Sequence, residues 1–426
     1  MILFAFLAGL FTFLLFNVPV AFALLLTGIL LMGLMGDFSP FVIVQSMVRG
    51  IGSFSLLAIP FFVMAGEIMN KGGISRRIVN FAKAIIGHIT GGLGYCTVLA
   101  SMIFAGISGS AIADTTAIGS ILLPIMERDG YDVKSSTALV CTAGCIGPVI
   151  PPSIPMILFG VTTGVSVVKL FLGGIIPGVL IGVGLMIVWY FHAKKHGYRS
   201  DENFSWQRVF VTLKDAFWAV LLPIIILGGI VSGIVTPTES AVVAVAYALF
   251  VTKFIYKELV ITRDIPEILM YTAKQCGVVL TVCGSAMAAG YYITTAQVPQ
   301  LLANALLSVS DNIYVIMLLI NLLLLLIGCV MDLTPAILIM APIMFPVAMR
   351  LGLNPIYFGV IMCTNLCIGL VTPPVGTVLY VGCGLSRLKI ADLIKPLIPF
   401  IAVMFITLLV CTYISPLITF IPSLVS

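Results

Sequence analysis

Charge is scarce in this chain: Asp, Glu, Lys and Arg make up 9% of its 426 residues, against 61% hydrophobic residues. A soluble globule with so few polar groups could not cover its apolar atoms, so the solvent around most of the chain is lipid. Histidine is scarcer still, with three in all, and no Cys-x-x-Cys or His-Glu-x-x-His spacing occurs. This excludes the common zinc frameworks, and no Ser/His or paired-Asp arrangement supports an intramembrane enzyme. The net charge of +5 is spread over short loops and forms no basic patch, which excludes a nucleic-acid partner. The ten cysteines sit singly in apolar surroundings. Cys141/Cys145 and Cys363/Cys367 are spaced one helical turn apart and read as small packing residues. His192 and His196 flank Lys194 and Lys195 and read as an interfacial anchor.

What the chain has in abundance is apolar runs of about 20 residues, the length that spans a bilayer as helix. Examples are 171–191, 216–235, 240–251 with its flanks, and 397–413. About ten to twelve crossings are expected. The first 36 residues have no basic leader region or cleavage site and read as retained spans. The fold class is therefore an all-α polytopic membrane protein embedded in a lipid bilayer.

The sequence repeats itself. Residues 106–177 fall without a gap on 328–399, and the densest match sets Cys141, Thr142, Cys145, Gly147, Pro151 and Pro152 on Cys363, Thr364, Cys367, Gly369, Pro373 and Pro374. Chance matching of apolar sequence aligns Leu and Val, not Gly, Pro and Cys. Charge then orients the copies. The stretch 71–88 carries Lys71, Arg76, Arg77 and Lys83, whereas its counterpart 293–310 has no Lys or Arg. By the positive-inside rule the first is cytoplasmic and the second opposite, the signature of an inverted-topology repeat. Lys194, Lys195 and Arg199 after the last span of the first copy agree, as do Arg128, Lys134, Lys253, Lys257, Arg263, Arg387 and Lys389. Arg49 and Lys169 are exceptions. The expected organisation is a first repeat over 1–191, a cytoplasmic linker over 192–215 and a second repeat over 216–426. Each repeat holds scaffold helices, a re-entrant hairpin (89–128 or 311–350) and a broken helix (135–168 or 356–386).

The hairpin tips are expected at 106–110 and 328–335, and the helix breaks at 147–152 and 369–374, where Gly, Ser and Pro interrupt apolar helix. With Pro at the first turn of each restarted half-helix, four half-helix N-termini would converge. Their free N–H groups suit a carboxylate, and the carbonyls freed at the breaks suit a hard cation such as Na⁺. Acids in apolar surroundings are few. Glu67 is one; Glu239 closes a Thr-Pro-Thr-Glu capping box; Asp114 braces a tip or binds solute; Asp332 is an ion-ligand candidate.

Gly106-Ile107-Ser108-Gly109-Ser110-Ala111-Ile112-Ala113-Asp114, then Ala117-Ile118-Gly119, Thr236-Pro237-Thr238-Glu239 and the paired Pro-Pro breaks together resemble the large membrane subunit of tripartite ATP-independent periplasmic (TRAP) transporters. The resemblance covers essentially the whole chain. It implies an elevator-type carrier of the ion-transporter superfamily in the bacterial inner membrane, driving uptake of a carboxylate such as sialic acid or a C4-dicarboxylate with Na⁺. It also implies a separate small four-helix membrane subunit and a periplasmic substrate-binding protein. Na⁺ is expected at two or more sites. The first would use Ser108 and Ser110 with carbonyls around Gly147 and Val149. The second would use Asp332 and Thr334 with carbonyls around Gly369 and the Thr372 hydroxyl, and would bind more tightly because it alone brings an acid. Thr142, Pro151, Pro152, Thr364, Asn365, Pro373, Pro374 and Asp114 are the expected solute-binding residues. A passive anion channel, which needs a continuous polar lining, and another carboxylate carrier of the same superfamily are the alternatives.

Overall fold

A computed structural model of the chain describes residues 2–36, 39–198, 204–310 and 312–424. Arg199, the middle of the expected linker and Asp311 lie outside the described residues. Every described element is helical. In chain order these are α1 (Ile2–Leu15), α2 (Val20–Met35), α3 (Pro40–Ile51), α4 (Ala58–Lys71), α5 (Ile74–Ile86), α6 (Gly92–Ser108), α7 (Ala111–Arg128), α8 (Val133–Gly144), α9 (Ile154–Thr163) and α10 (Val167–His196). They continue as α11 (Trp206–Val231), α12 (Pro237–Phe250), α13 (Ile261–Thr295), α14 (Val298–Val309), α15 (Ile313–Val330), α16 (Leu333–Arg350), α17 (Pro355–Gly369), α18 (Thr377–Ser386), α19 (Ile390–Tyr413) and α20 (Pro416–Ser423).

Among the described residues eight helices are long and apolar enough to cross a bilayer singly, fewer than the ten to twelve expected crossings. The difference arises at the breaks, which divide single apolar runs into helices such as α8, α9, α17 and α18, each too short to span. Helix also consumes both ends of the expected 192–215 linker, since α10 reaches His196 and α11 starts at Trp206.

The helices sort into two groups. α13 packs on α2, α3 and α4, and α4 on α12, forming a frame. Inside it α6–α10 and α15–α20 interlock across the halves: α8 packs on α18 and α19, α9 on α16 and α17, and α7 on α18. The two groups meet where α16 packs on α13 and where α4 reaches α6 and α9. Local chemistry sets the helix starts. Thr236 and Glu239 form the complete capping box at the start of α12, and the side chains of Ser110, Asp132 and Ser153 accept backbone N–H bonds at the starts of α7, α8 and α9.

α5 is strongly amphipathic, and ions fasten it to the frame. The Arg77 guanidinium, 12% exposed, donates to Asp215 at 3.1 Å and to Glu258 at 2.8 Å, and lies 3.8 Å from the Tyr256 ring centroid. Arg76 reaches the same Glu258 at 2.7 Å, and Lys71 pairs with Glu267. A planar donor fork shared by two carboxylates and an aromatic face is a junction lysine could not reproduce. Arg77→Leu is expected to destabilise the purified protein by about 2 kcal/mol, from lost charge-assisted bonds. The check is a lowered midpoint of thermal unfolding in detergent, against an unchanged midpoint for an Arg128→Leu control.

Candidate functional site

The first tip forms because Gly109 adopts a left-handed backbone (φ 62°), ending α6, and Ser110 caps α7. In the second copy Met331 and Asp332 are extended between α15 and α16. Residues around both tips line one cavity of about 440 Å³, a size suited to a small solute. Its inner wall holds Ser108–Ala113 in number order, Pro148, Ile154 and Pro155 from the first copy, and Asp332, Leu333, Thr334 and Leu370 from the second. Its outer wall comes from the frame, through Glu67 and Asn70 of α4 and Tyr271 and Gln275 of α13. Among the described lining residues Glu67 and Asp332 are acidic and none is Lys, Arg or His.

Several expectations change at this level. Both Pro–Pro pairs lie in the unwound segments, with cis bonds, and do not start helices: α9 begins after Ser153 and α18 after Gly376. The residue before a proline is driven out of the α region, so a tandem pair prolongs the break. Of the four half-helix N-termini, those of α7, α9 and α16 line the cavity. That of α18 does not; its Thr377 donates to Asp332 at 3.2 Å.

Of the expected solute-binding residues, none lines the cavity. Thr142 is buried with its hydroxyl on the Ala138 and Leu139 carbonyls of its own helix. Thr364 is buried away from the cavity, as are Pro151 and Pro152. Asn365 donates to Asn321, whose amide donates to Thr412 at 3.0 Å, a network joining α15, α17 and α19. Pro373 and Pro374 lie outside the lining as well. Asp114 is fully buried beneath the tip, where Ser108 Oγ donates to its Oδ1, and its Oδ2 has no hydrogen-bond partner and faces Gly147.

The expected ion ligands fare differently. Ser108, Ser110, Asp332 and Thr334 come together at the cavity. The Val149 carbonyl instead faces Gly174 of α10, and it is the Pro152 carbonyl that abuts Gly109 at the tip. Gly147 stands against Asp114, so the first copy also brings an acid. The expected tighter binding in the second copy therefore loses its basis. Thr372 Oγ donates back to Ile368 O at 2.8 Å and also lies in hydrogen-bond contact with the Cys329 thiol. Thr377, Ser153, Asn70, Tyr271 and Gln275 stand at the site as well, beyond the residues expected from sequence. Ser153, whose hydroxyl donates to Pro148 O at 2.5 Å, was signalled by its place just after the Pro-Pro pair.

Comparison with known proteins follows the same lines. The family model described as tripartite ATP-independent periplasmic transporter, DctM component, matches residues 7–417. The 2,3-diketo-L-gulonate TRAP transporter large permease protein YiaN of Escherichia coli (strain K12) is 42% identical over 402 residues, covering 94% of each chain. The sialic acid TRAP transporter permease protein SiaT of Haemophilus influenzae (strain 86-028NP) is 38% identical over 380 residues, which are 89% of this chain and 62% of SiaT. Among solved structures, the Alcanivorax borkumensis YdaH transporter aligns with a TM-score of 0.65 over 87% of each chain at 14% identity, a likeness of fold alone.

Two glycines hold the second tip to its break. A Cβ on Gly369 would run into the backbone of Gly328, a contact between main chains that no rotamer change relieves, whereas a Cβ on Gly384 would meet nothing within 4 Å. Gly369→Ala is expected to cost about 2 kcal/mol or more through forced separation of α15 and α17. Gly384→Ala should be neutral. Thermal unfolding of the two variants in detergent checks both, and equal midpoints would show that the contact does not matter.

Proposed function

The chain belongs to the DctM component family of tripartite ATP-independent periplasmic transporters, and from that premise we propose that it moves a small carboxylate inward together with Na⁺. It is a multi-pass permease of the bacterial inner membrane and not an enzyme. The observation that carries the proposal is the single cavity at which both tips and both breaks meet, with three half-helix N-termini on its wall and no basic side chain among the described ones. N–H groups at helix starts attract an anion without fixing it permanently, whereas a buried Arg would hold it. Relatives named for 2,3-diketo-L-gulonate, sialic acid and C4-dicarboxylate support a carboxylate of the sialic acid or C4-dicarboxylate kind.

Two Na⁺ sites are proposed, one behind each tip. The first uses Ser108, Ser110 and Asp114 with carbonyls around Gly147 and the following break. The second uses Asp332, Thr334, Thr372 and Thr377 with carbonyls around Gly369. A buried carboxylate oxygen without a hydrogen-bond partner, as at Asp114, favours a cation beside it. Ion binding would fix the tips that shape the solute site, and the coupling must be reciprocal. The two halves of the chain, 1–191 and 216–426, are proposed as inverted repeats, with α6–α10 and α15–α20 moving as an elevator against the frame. Capture of dilute solute falls to a periplasmic binding protein, and a small four-helix subunit completes the membrane part; the extra length of SiaT supports the latter.

The test is uptake of radiolabelled acids into proteoliposomes. With the small subunit and loaded binding protein, uptake should require Na⁺, and the lone chain should take up little. Asp332→Asn and Ser110→Ala should each raise the half-saturating Na⁺ concentration about fivefold or more, the effect of one lost charge-assisted ligand. Wild-type Na⁺ dependence in both would place the ions elsewhere, and Na⁺-independent flux would make the protein a channel. Topology is checked separately. Ser75 is buried, so single cysteines are better placed at the exposed Asn80 and Gln300, which should react with an impermeant thiol reagent from opposite sides. Labelling from one side would remove the inverted repeat.

A further inference from the structure

Beside the central cavity lies a second, open cleft of about 310 Å³. One wall is the α4–α5 junction with Asn70, Lys71, Ser75 and Arg76; the other is Ser120 of α7; Glu258 closes the end. Asn70 lines both cavities. α7 also joins them, since its first turn lines the central cavity and Ser120 lies nine residues on, about 14 Å at helical rise. Along α4 the lining changes from acidic to basic within one turn, from Glu67 to Lys71. Ser75 stands in the cleft wall, 2% exposed, with its hydroxyl buried and without a hydrogen-bond partner.

We propose that this cleft is an anion-accepting vestibule through which the solute passes between the central cavity and the side bearing Lys71 and Arg76. The inference rests on the reading of the central cavity as a carboxylate site. With Na⁺ bound, that cavity holds an anion beside Glu67 and Asp332; once Na⁺ leaves, the two acids repel it and the basic rim draws it out. Lys71 and Arg76 already hold Glu267 and Glu258, and their side chains are 27% and 59% exposed. An incoming carboxylate therefore exchanges with a resident one, which keeps its stay short. Lys71 and Arg76 outnumber Glu258 among the charged lining residues, and such a positive excess raises the local concentration of anions.

The test places a reporter at the exposed Ser120 as Ser120→Cys in the full chain with its small subunit, with Cys383, the one cysteine that is not buried, replaced by Ser. Anionic ethylsulfonate and cationic ethyltrimethylammonium methanethiosulfonates are compared, each rate divided by its rate with a free thiol. The anionic reagent should be favoured about fivefold, the effect of one to two nearby charges in a wet cleft. Lys71→Gln with Arg76→Gln should erase the preference, and Lys71→Arg should keep it. In the uptake assay the double variant should turn over several-fold more slowly with its Na⁺ half-saturation unchanged. Charge-blind labelling, a cationic preference or no labelling overturns the vestibule even where uptake is intact. An anionic preference in a protein that transports no acid leaves the vestibule standing and removes the carrier reading alone.

Discussion

Backbone N–H and C=O groups at membrane depth have no water to bond, and every unusual feature of this protein follows from where its helices break that rule. Four interruptions free those groups in the interior. Each is met by a short polar device: Ser110 and Ser153 cap α7 and α9, the Val375 N–H donates to the Cys329 carbonyl at 3.3 Å, and Thr377 bonds Asp332. What these devices leave over at the cavity wall is the N-termini of α7, α9 and α16. The breaks are costly as structure, and they cluster around one cavity, which is the arrangement expected when a ligand completes the bonding.

The two copies solve the same problem with different chemistry. In the second, Asn321, Asn365, Thr412 and Tyr357 form a buried chain of hydrogen bonds, with Tyr357 OH on Thr412 O at 2.5 Å. The same positions in the first copy are Leu99, Ala143, Tyr190 and Ser135, which cannot repeat it. The first copy instead buries Asp114 against Ser108 and Gly147. The amide network joins three helices while leaving Asn365 Oδ1 without a hydrogen-bond partner, and Asp114 keeps one carboxylate oxygen free beneath the first tip. The two halves thus place different polar groups at corresponding depths.

Electrostatics divides along the same boundary as the packing. The frame is tied by exposed and half-buried ion pairs at one end, from Lys71 to Glu267 and around Arg77, while the interlocked inner helices bury Asp114 and partly bury Asp332, their other charges lying toward the helix ends. Lys134 of α8 and Asp392 of α19, 2.9 Å apart, tie the inner helices to each other near the surface and not to the frame. Among the described residues no ion pair joins the inner helices to α2, α3, α4, α12 or α13.

The sequence alone determined that this protein lives in lipid, that it is all helix, and that Gly109, Gly147, Asp332 and the Pro-Pro pairs stand at interruptions. Those follow from local rules: hydrophobic length, the backbone freedom of glycine and the missing N–H of proline act within a few residues. Thr236 and Glu239 were legible as a cap for the same reason. Tertiary structure alone decided which freed groups face the cavity. Asp114 turns under the tip and not onto the solute, Pro152 and not Val149 meets Gly109, and Asn365 spends its amide on Asn321. Tyr271 and Gln275 reach the site from a helix far away in sequence. A break fixes where polar groups are left free, but their direction depends on how helices distant in sequence cross and pack, and no local pattern encodes that.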